Sequence, residues 1–285
     1  MDDGLTVREL VRQTADALGS AHEARWVCEV ATSLDGAEFD DAMDDPVTVK
    51  MVAHCDAMVA RARAGEPLAY VLGRWSFRHI DLAVDRRVLI PRPETEVVAG
   101  AAIELAAAVD GPRMIADLGT GSGAIGLSAA TELPVRGTTV WLTDVREDAL
   151  AVARANLAGI GRAAANVRIG IGSWFEALPN DQCFDVIVSN PPYVAVGSPE
   201  LDESVRIWEP EVALFAGHDG LGAIRALIAG APAHLCTGGW LVLEIGADQG
   251  RAVAAMFHDA GYVDVEIRHD LTGHDRIAIG RVTSG

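Results

Sequence analysis

The residues best suited to chemistry stand together at Ser189-Asn190-Pro191-Pro192-Tyr193, directly after the apolar run Phe184–Val188. Such a β-branched run reads as a buried parallel strand, and open α/β sheets bind ligands beyond the C-terminal ends of their strands. An amide, two rigid rings and a phenol in succession there offer stiffly held carbonyl acceptors beside an aromatic face. That set fits a planar NH2 group, whose two N–H donors would meet the Asn190 side-chain carbonyl and the Pro191 backbone carbonyl, with Tyr193 as a packing surface. Earlier, "ADLGTGSGAIGL" joins a predicted strand to a predicted helix. Gly119, Gly121 and Gly123 permit a tight turn and a close approach of backbone to ligand, and the helix N-terminus adds free N–H groups. Asp144 ends the next strand, in reach of a ribose diol through two charge-assisted hydrogen bonds.

Two enzyme classes use such a loop. Gly121, Gly123 and Gly126 satisfy GxGxxG, with Asp144 near the expected offset, so a nicotinamide dehydrogenase is a rival reading. Three features oppose it. Asp117 sits in the approach to the loop and suits a cationic or hydroxyl-rich ligand better than a pyrophosphate. The last two predicted strands form an antiparallel pair, and the fourth strand of the sheet ends in Asn-Pro-Pro-Tyr. In these respects the segment from about Met114 onward resembles the class I S-adenosylmethionine-dependent methyltransferases. Under that resemblance the stretch acquires a task. A planar nitrogen is a poor nucleophile because its lone pair is delocalised. Two fixed acceptors aim it at the methyl carbon and favour pyramidalisation as the bond forms, with the prolines limiting the ordering cost. Such chemistry selects the amino groups of adenine, cytosine or guanine, or the side-chain amide of glutamine.

The elements that must position these residues follow from periodicity. Strands are expected at Met114–Leu118, Val140–Thr143, Val167–Ile171, Phe184–Ser189 and Trp240–Ile245, with helices between most of them, which implies a parallel, doubly wound sheet. Val263–Arg268 and Arg276–Val282 follow, joined by a segment too short for a crossover helix and therefore antiparallel. The first 65 or so residues read as three amphipathic helices. One opens at the capping box Thr6–Glu9, one at Ser20, and one at Asp45-Pro46 as N-cap and first helical residue, ending at Gly65. Ile80, Leu82 and Val84, then Val88–Ile90 across Asp85-Arg86-Arg87, predict a β-hairpin, and a long helix begins near Glu94. The expected architecture is an α/β fold with a doubly wound seven-stranded class I methyltransferase sheet. It carries a helical N-terminal substrate-recognition domain (1–75), a hairpin linker (76–93) and the methyltransferase domain (94–285).

Of the 285 residues half are hydrophobic, enough for a large core, and the formal charge of −18 lacks the basic footprint of an extended nucleic-acid groove. Cys28, Cys55, Cys183 and Cys236 are scattered without a CxxC pair and read as small buried hydrophobes in a reducing compartment rather than as disulfides or metal ligands. The eight histidines show no ligand spacing, so no metal is expected. The acidic start "MDDGLTVREL" is unlike a signal peptide and no run reaches membrane-spanning length, which points to the cytoplasm and to no membrane partner.

The whole chain resembles the HemK/PrmC family, the glutamine-N5 methyltransferases of peptide chain release factors. The resemblance rests on "PLAYVLGRWSF" (67–77), "VLIPRPETE" (88–96), "DLGTGSGAIGL" (117–127), "SWFEAL" (173–178), "SNPPY" (189–193), "VRIWEPEVALFAGHDGL" (205–221) and "GGWLVLEIGADQG" (238–250). It implies S-adenosylmethionine as cofactor, S-adenosylhomocysteine as product and a release factor as protein partner. It also implies cofactor contacts at Asp117, Gly119, Thr120, Gly121, Ser122, Gly123, Asp144, Trp174 and Asn190, with the substrate glutamine held by Asn190, Pro191, Pro192 and Tyr193. Arg92 and Glu94 are further candidates to shape the site, with helix capping an equal role for Glu94. Ala216 stands where the family often has glycine. Alternatives are a ribosomal-protein glutamine methyltransferase, an adenine-N6 nucleic-acid methyltransferase and a silent cofactor-binding module; the intact Asn-Pro-Pro-Tyr opposes the last and the charge opposes the nucleic acid.

Overall fold

Capping chemistry sets the helix ends of the N-terminal region. In the computed structural model, which describes residues 5–198 and 202–283, the chain divides into two compact units, Met1–Arg74 and Trp75–Gly285. The first is helical: α1 (Val7–Leu18), α2 (Ala21–Thr32), α3 (Gly36–Asp41), α4 (Val49–Arg63) and α5 (Leu68–Leu72). Thr6 and Glu9 close the expected capping box on α1, with Glu9 N donating to Thr6 Oγ1 at 3.3 Å and Thr6 N to Glu9 Oε2 at 3.0 Å. Gly19 ends α1 at φ +71°, a left-handed conformation that glycine adopts without strain. Apolar faces bury Val7, Leu10, Val27, Phe39 and Met58 in one core.

Two expectations for this unit are corrected. Residues 5–65 hold four helices rather than three, the extra one being the short α3, and α5 follows beyond that span. The third predicted helix does not open at Asp45-Pro46, because Pro46 bridges Thr6 and Val47 N donates to Leu5 O at 2.8 Å, which keeps the chain extended. Thr48 takes the N-cap instead, accepting from Met51 N at 3.3 Å.

From the last residue of the first unit onward, β1 (Arg74–Phe77) and β2 (Ile80–Ala83) form a two-stranded sheet turning at Arg78-His79. The predicted hairpin thus pairs its first strand with the wrong partner. Asp85 does form a turn, accepting from Arg87 N at 3.0 Å and through its carbonyl from Val88 N at 3.0 Å. But residues 88–90 join no ladder, and Ile90 N donates to the Glu209 carboxylate at 3.2 Å. Then follow α6 (Pro93–Ala107), β3 (Arg113–Leu118), α7 (Ala124–Glu132), β4 (Thr138–Asp144), α8 (Glu147–Gly159), β5 (Val167–Ile171) and β6 (Phe184–Ser189). The chain continues through α9 (Glu203–Trp208), α10 (Gly222–Gly230), β7 (Leu235–Glu244), α11 (Gly250–Asp259), β8 (Val263–His269) and β9 (Asp275–Arg281).

The seven-stranded sheet runs β5-β4-β3-β6-β7-β9-β8. β3 to β7 pair in parallel and β9 is antiparallel to both β7 and β8, as the short 270–275 connection requires. Parallel strands covered on both faces must be apolar throughout, and Val186, Ile187 and Val188 of β6 and Leu241, Val242 and Leu243 of β7 are fully buried. The order reverses at β3, which sends the chain outward to β4 and β5 and then back past itself to β6. A crevice for ligand opens there, at the C-terminal ends of the strands.

The cysteine expectation holds for one pair and fails for the other. Cys28 and Cys55 are buried and free, whereas Cys183 and Cys236 form a disulfide with Cα atoms 4.9 Å apart. They lie 53 residues apart in sequence, but β6 and β7 are neighbours and bring their N-terminal ends together. No helix among the described residues is long and apolar enough to cross a membrane.

Candidate active site

A cavity of about 340 Å³ opens at that reversal. Its floor is the loop after β3. Gly119, Gly121 and Gly123 have φ of +71°, +55° and +89°, so each glycine performs a turn that a residue with a Cβ resists. The loop is tied down by Asp117. Its Oδ2 accepts from Thr120 Oγ1 at 2.5 Å and from Gly126 N at 2.9 Å, while its Oδ1 is buried with no partner among the described residues. Burial pushes this carboxyl up to about 6, against the pull of those two donors. Gly126 lets α7 pack closely on the sheet, since a Cβ there would stand 2.1 Å from Leu142 Cδ2 and 3.1 Å from Asp117.

Asp144, at the end of β4, forms the opposite edge. Its two oxygens accept from Gly121 N and Arg146 N, both at 3.0 Å, so the carboxylate faces the glycine loop in a fixed orientation. Burial raises its pKa too, and the two backbone donors oppose the shift. Trp174, just beyond β5, takes a left-handed φ of +46° and lays its ring against Gly119, where a Cβ would be 3.4 Å away. Ser122 is buried on the loop, its carbonyl accepting from Asn156 Nδ2 at 2.8 Å.

The third wall is the corner after β6. Ser189 Oγ donates to Leu118 O at 2.6 Å, fastening the end of β6 to the end of β3. Asn190 and Pro192 line the cavity. Pro191 is buried beside them, and its carbonyl accepts no backbone hydrogen bond among the described residues. Tyr193 turns its hydroxyl inward to Glu244 at 3.2 Å, and its carbonyl accepts from Gln249 Nε2 at 3.0 Å. Gly220 lets the chain press close here, since a Cβ would be 2.4 Å from Tyr193 O. A second strap follows: Val194 N donates to Leu214 O and Ala216 N to Val194 O, and Val212, Ala213 and Phe215 reach the cavity. Buried Glu209 anchors that strap to Ile90 N and to Arg92.

The structure therefore gathers Asp117, Gly119, Thr120, Gly121, Ser122, Asp144, Trp174, Asn190 and Pro192 around one cavity. Gly123 stands behind the loop as its turning point, its Cβ direction occupied by Leu127. Arg92 pairs with Glu209 rather than facing the cavity, and Glu94 makes no cap on α6. Sequence reading missed Thr95, Glu209 and Glu244. Glu209 and Glu244 carried a signal, each a carboxylate inside an otherwise apolar or proline-bound segment, "IWEPEV" and "WLVLEIG".

Residues 100–207 match the Methyltransferase small domain family and residues 8–73 the PrmC N-terminal domain family. A release factor glutamine methyltransferase of Xylella fastidiosa is 44% identical over 238 residues, 84% of this chain and 84% of its own. One of Burkholderia pseudomallei is 39% identical over 97% of this chain and 96% of its own. A crystal structure of a methyltransferase from Pyrococcus furiosus shares the fold with a TM-score of 0.53 at 20% identity, covering 79% of this chain and 98% of that one. With identities of 44% and 39% over 84% and 97% of its length, the chain belongs to the release factor glutamine methyltransferase family.

Proposed function

We propose that this enzyme transfers the methyl group of S-adenosylmethionine to the side-chain N5 of the glutamine in a release factor's Gly-Gly-Gln loop, leaving S-adenosylhomocysteine. The observation that carries the reading is a pair of open acceptors at one cavity. Asp117 Oδ1 is buried without a partner, and Asn190 Oδ1 accepts no bond among the described residues. An orphaned buried carboxylate oxygen calls for a donor, and the ammonium of the cofactor's amino-acid end is one. The same cavity offers Asp144 to the ribose hydroxyls and the Trp174 ring as a wall beside the glycine loop. These residues fit the cofactor.

When bound, S-adenosylmethionine supplies a methyl carbon made electrophilic by the positive sulfur. The chain's residues supply aim. Asn190 Oδ1 and Pro191 O each accept one N–H of the substrate amide, which holds the NH2 plane and turns the nitrogen toward the methyl carbon. Proline rigidity and the Gln249 bond to Tyr193 O keep both acceptors in place before substrate arrives, so little reorganisation falls on the transition state. The nitrogen sheds its proton to solvent after the bond forms, and no strong base is needed.

A formal charge of −18 favours a protein partner over a polyanion. A translation-factor substrate puts the reaction in the cytoplasm. The test is incubation with isotope-labelled cofactor and a panel of release factor, ribosomal protein and DNA, followed by mass spectrometry. The expected result is one labelled methyl on the Gly-Gly-Gln glutamine. Label on DNA or on ribosomal protein alone would overturn the reading.

A further inference from the structure

A side-chain amide has two ends of nearly equal size, and only the oxygen end of Asn190 can accept a substrate N–H. What decides which end faces the cavity lies one layer deeper. Asn190 Nδ2 donates to Thr95 Oγ1 at 3.1 Å, and Thr95 Oγ1 donates to Glu244 Oε2 at 2.6 Å. Thr95 in the first turn of α6 is 3% exposed and Glu244 at the end of β7 is fully buried, so the pair is shielded from bulk water.

With Glu244 ionised, the polarity of this chain is forced. An ionised carboxylate can only accept, so the single hydroxyl proton of Thr95 goes to Glu244. The hydroxyl then presents only lone pairs to Asn190, and only the NH2 end of the amide can meet them. The Asn190 carbonyl is left to the cavity. The other oxygen of Glu244 accepts from Tyr193 OH at 3.2 Å, so one buried carboxylate fixes both ends of the Asn190–Tyr193 corner. Arg276 backs it, donating from Nη1 to Ile245 O at 3.0 Å with the Tyr193 hydroxyl 3.5 Å away.

We propose that Glu244, acting through Thr95, is the positioning residue that orients the Asn190 amide for methyl transfer. This rests on the reading that Asn190 Oδ1 holds the substrate amide.

The test compares Thr95→Val, Thr95→Ser and Glu244→Gln with the wild type. Thr95→Val keeps the shape and deletes the relay. Glu244→Gln keeps the volume, and with its oxygen end on the Tyr193 hydroxyl its NH2 donates to Thr95, which reverses the relay. Both should lower kcat about 10- to 100-fold, the scale of losing an outer-shell partner that orients a group in the site, while the Kd for S-adenosylmethionine stays within about twofold. Thr95→Ser restores the hydroxyl and should restore kcat. Folded Thr95→Val or Glu244→Gln protein with wild-type kcat would overturn the relay, as would a Thr95→Ser enzyme as slow as Thr95→Val. A wild-type enzyme that methylates no glutamine would instead sink the reading beneath it, and the relay with it.

Discussion

Replacing Asp144 by Asn removes one charge and exchanges one acceptor for a donor, and the structure separates the consequences. The carboxylate accepts from Gly121 N and Arg146 N, both at 3.0 Å. An amide oxygen can serve only one of them, and its NH2 must face the other N–H. An unsatisfied buried donor costs about 1–3 kcal/mol. Asp144 is already penalised by burial, which raises its pKa, so losing the charge recovers part of that cost. Stability without ligand should therefore fall by only about 1 kcal/mol, the low end of that range. On the proposed reading cofactor affinity has no such relief, because ribose hydroxyls held by Asp144 would lose charge-assisted bonds worth about 1.5–3 kcal/mol. At 1.4 kcal/mol per decade the Kd for S-adenosylmethionine should rise about 10- to 150-fold. Isothermal titration calorimetry on the variant, with urea unfolding as the stability control, measures both quantities. A Kd unchanged from wild type would remove Asp144 from the cofactor site and refute the reasoning.

Asn190→Ala should leave the fold intact and lower kcat about 10²–10³-fold, as loss of a preorganised transition-state partner does; wild-type turnover would remove Asn190 from catalysis. Gly126→Ala drives a Cβ to 2.1 Å from Leu142 and should cost about 1–3 kcal/mol as overpacking, read as a melting temperature lower by about 2–10 °C; an unchanged melting temperature would show that α7 can shift freely. Activity and stability should run in opposite directions with pH. Glu244 is pushed up to about 7 by burial and by Glu94, against Thr95, Arg276 and Tyr193, and the relay needs its ionised form. So kcat at saturating substrate should fall as pH drops through about 7. Its folded pKa lies above the ordinary 4.5, so its stability contribution is present below 4.5 and lost as pH rises through about 7. Asp117 acts in the same sense through about 6, and a kcat flat from pH 6 to 8 would contradict the relay's dependence on charge.

The fold was legible where signals are local. Phe184–Ser189 emerges with the predicted limits because a largely apolar, β-branched run defines a buried strand, and the edge strand Val167–Ile171 does so on its alternating Val167, Ile169 and Ile171. The first half of β7 was not, since Thr237-Gly238-Gly239 reads as a turn. Gly238 at φ +80° instead makes an irregularity inside the strand, where the pairing with β6 shifts register. The hairpin failed because Val88 and Ile90 are apolar for burial, not for strand pairing. In the site, the glycine loop and the Asn-Pro-Pro-Tyr corner are contiguous and could be read directly. Thr95 and Glu244 touch across 149 residues, and a glutamate within an apolar strand carries no local sign of its partner. The disulfide across β6 and β7 was hidden for the same reason: strand order, not spacing, brings its cysteines together.

The most direct measurement is a crystal structure with S-adenosylhomocysteine and a Gly-Gly-Gln loop peptide bound. The glutamine NH2 should lie within about 2.7–3.2 Å of both Asn190 Oδ1 and Pro191 O, with its nitrogen facing the sulfur. A glutamine held elsewhere, or an Asn190 amide presenting its NH2 to the cavity, would contradict the account.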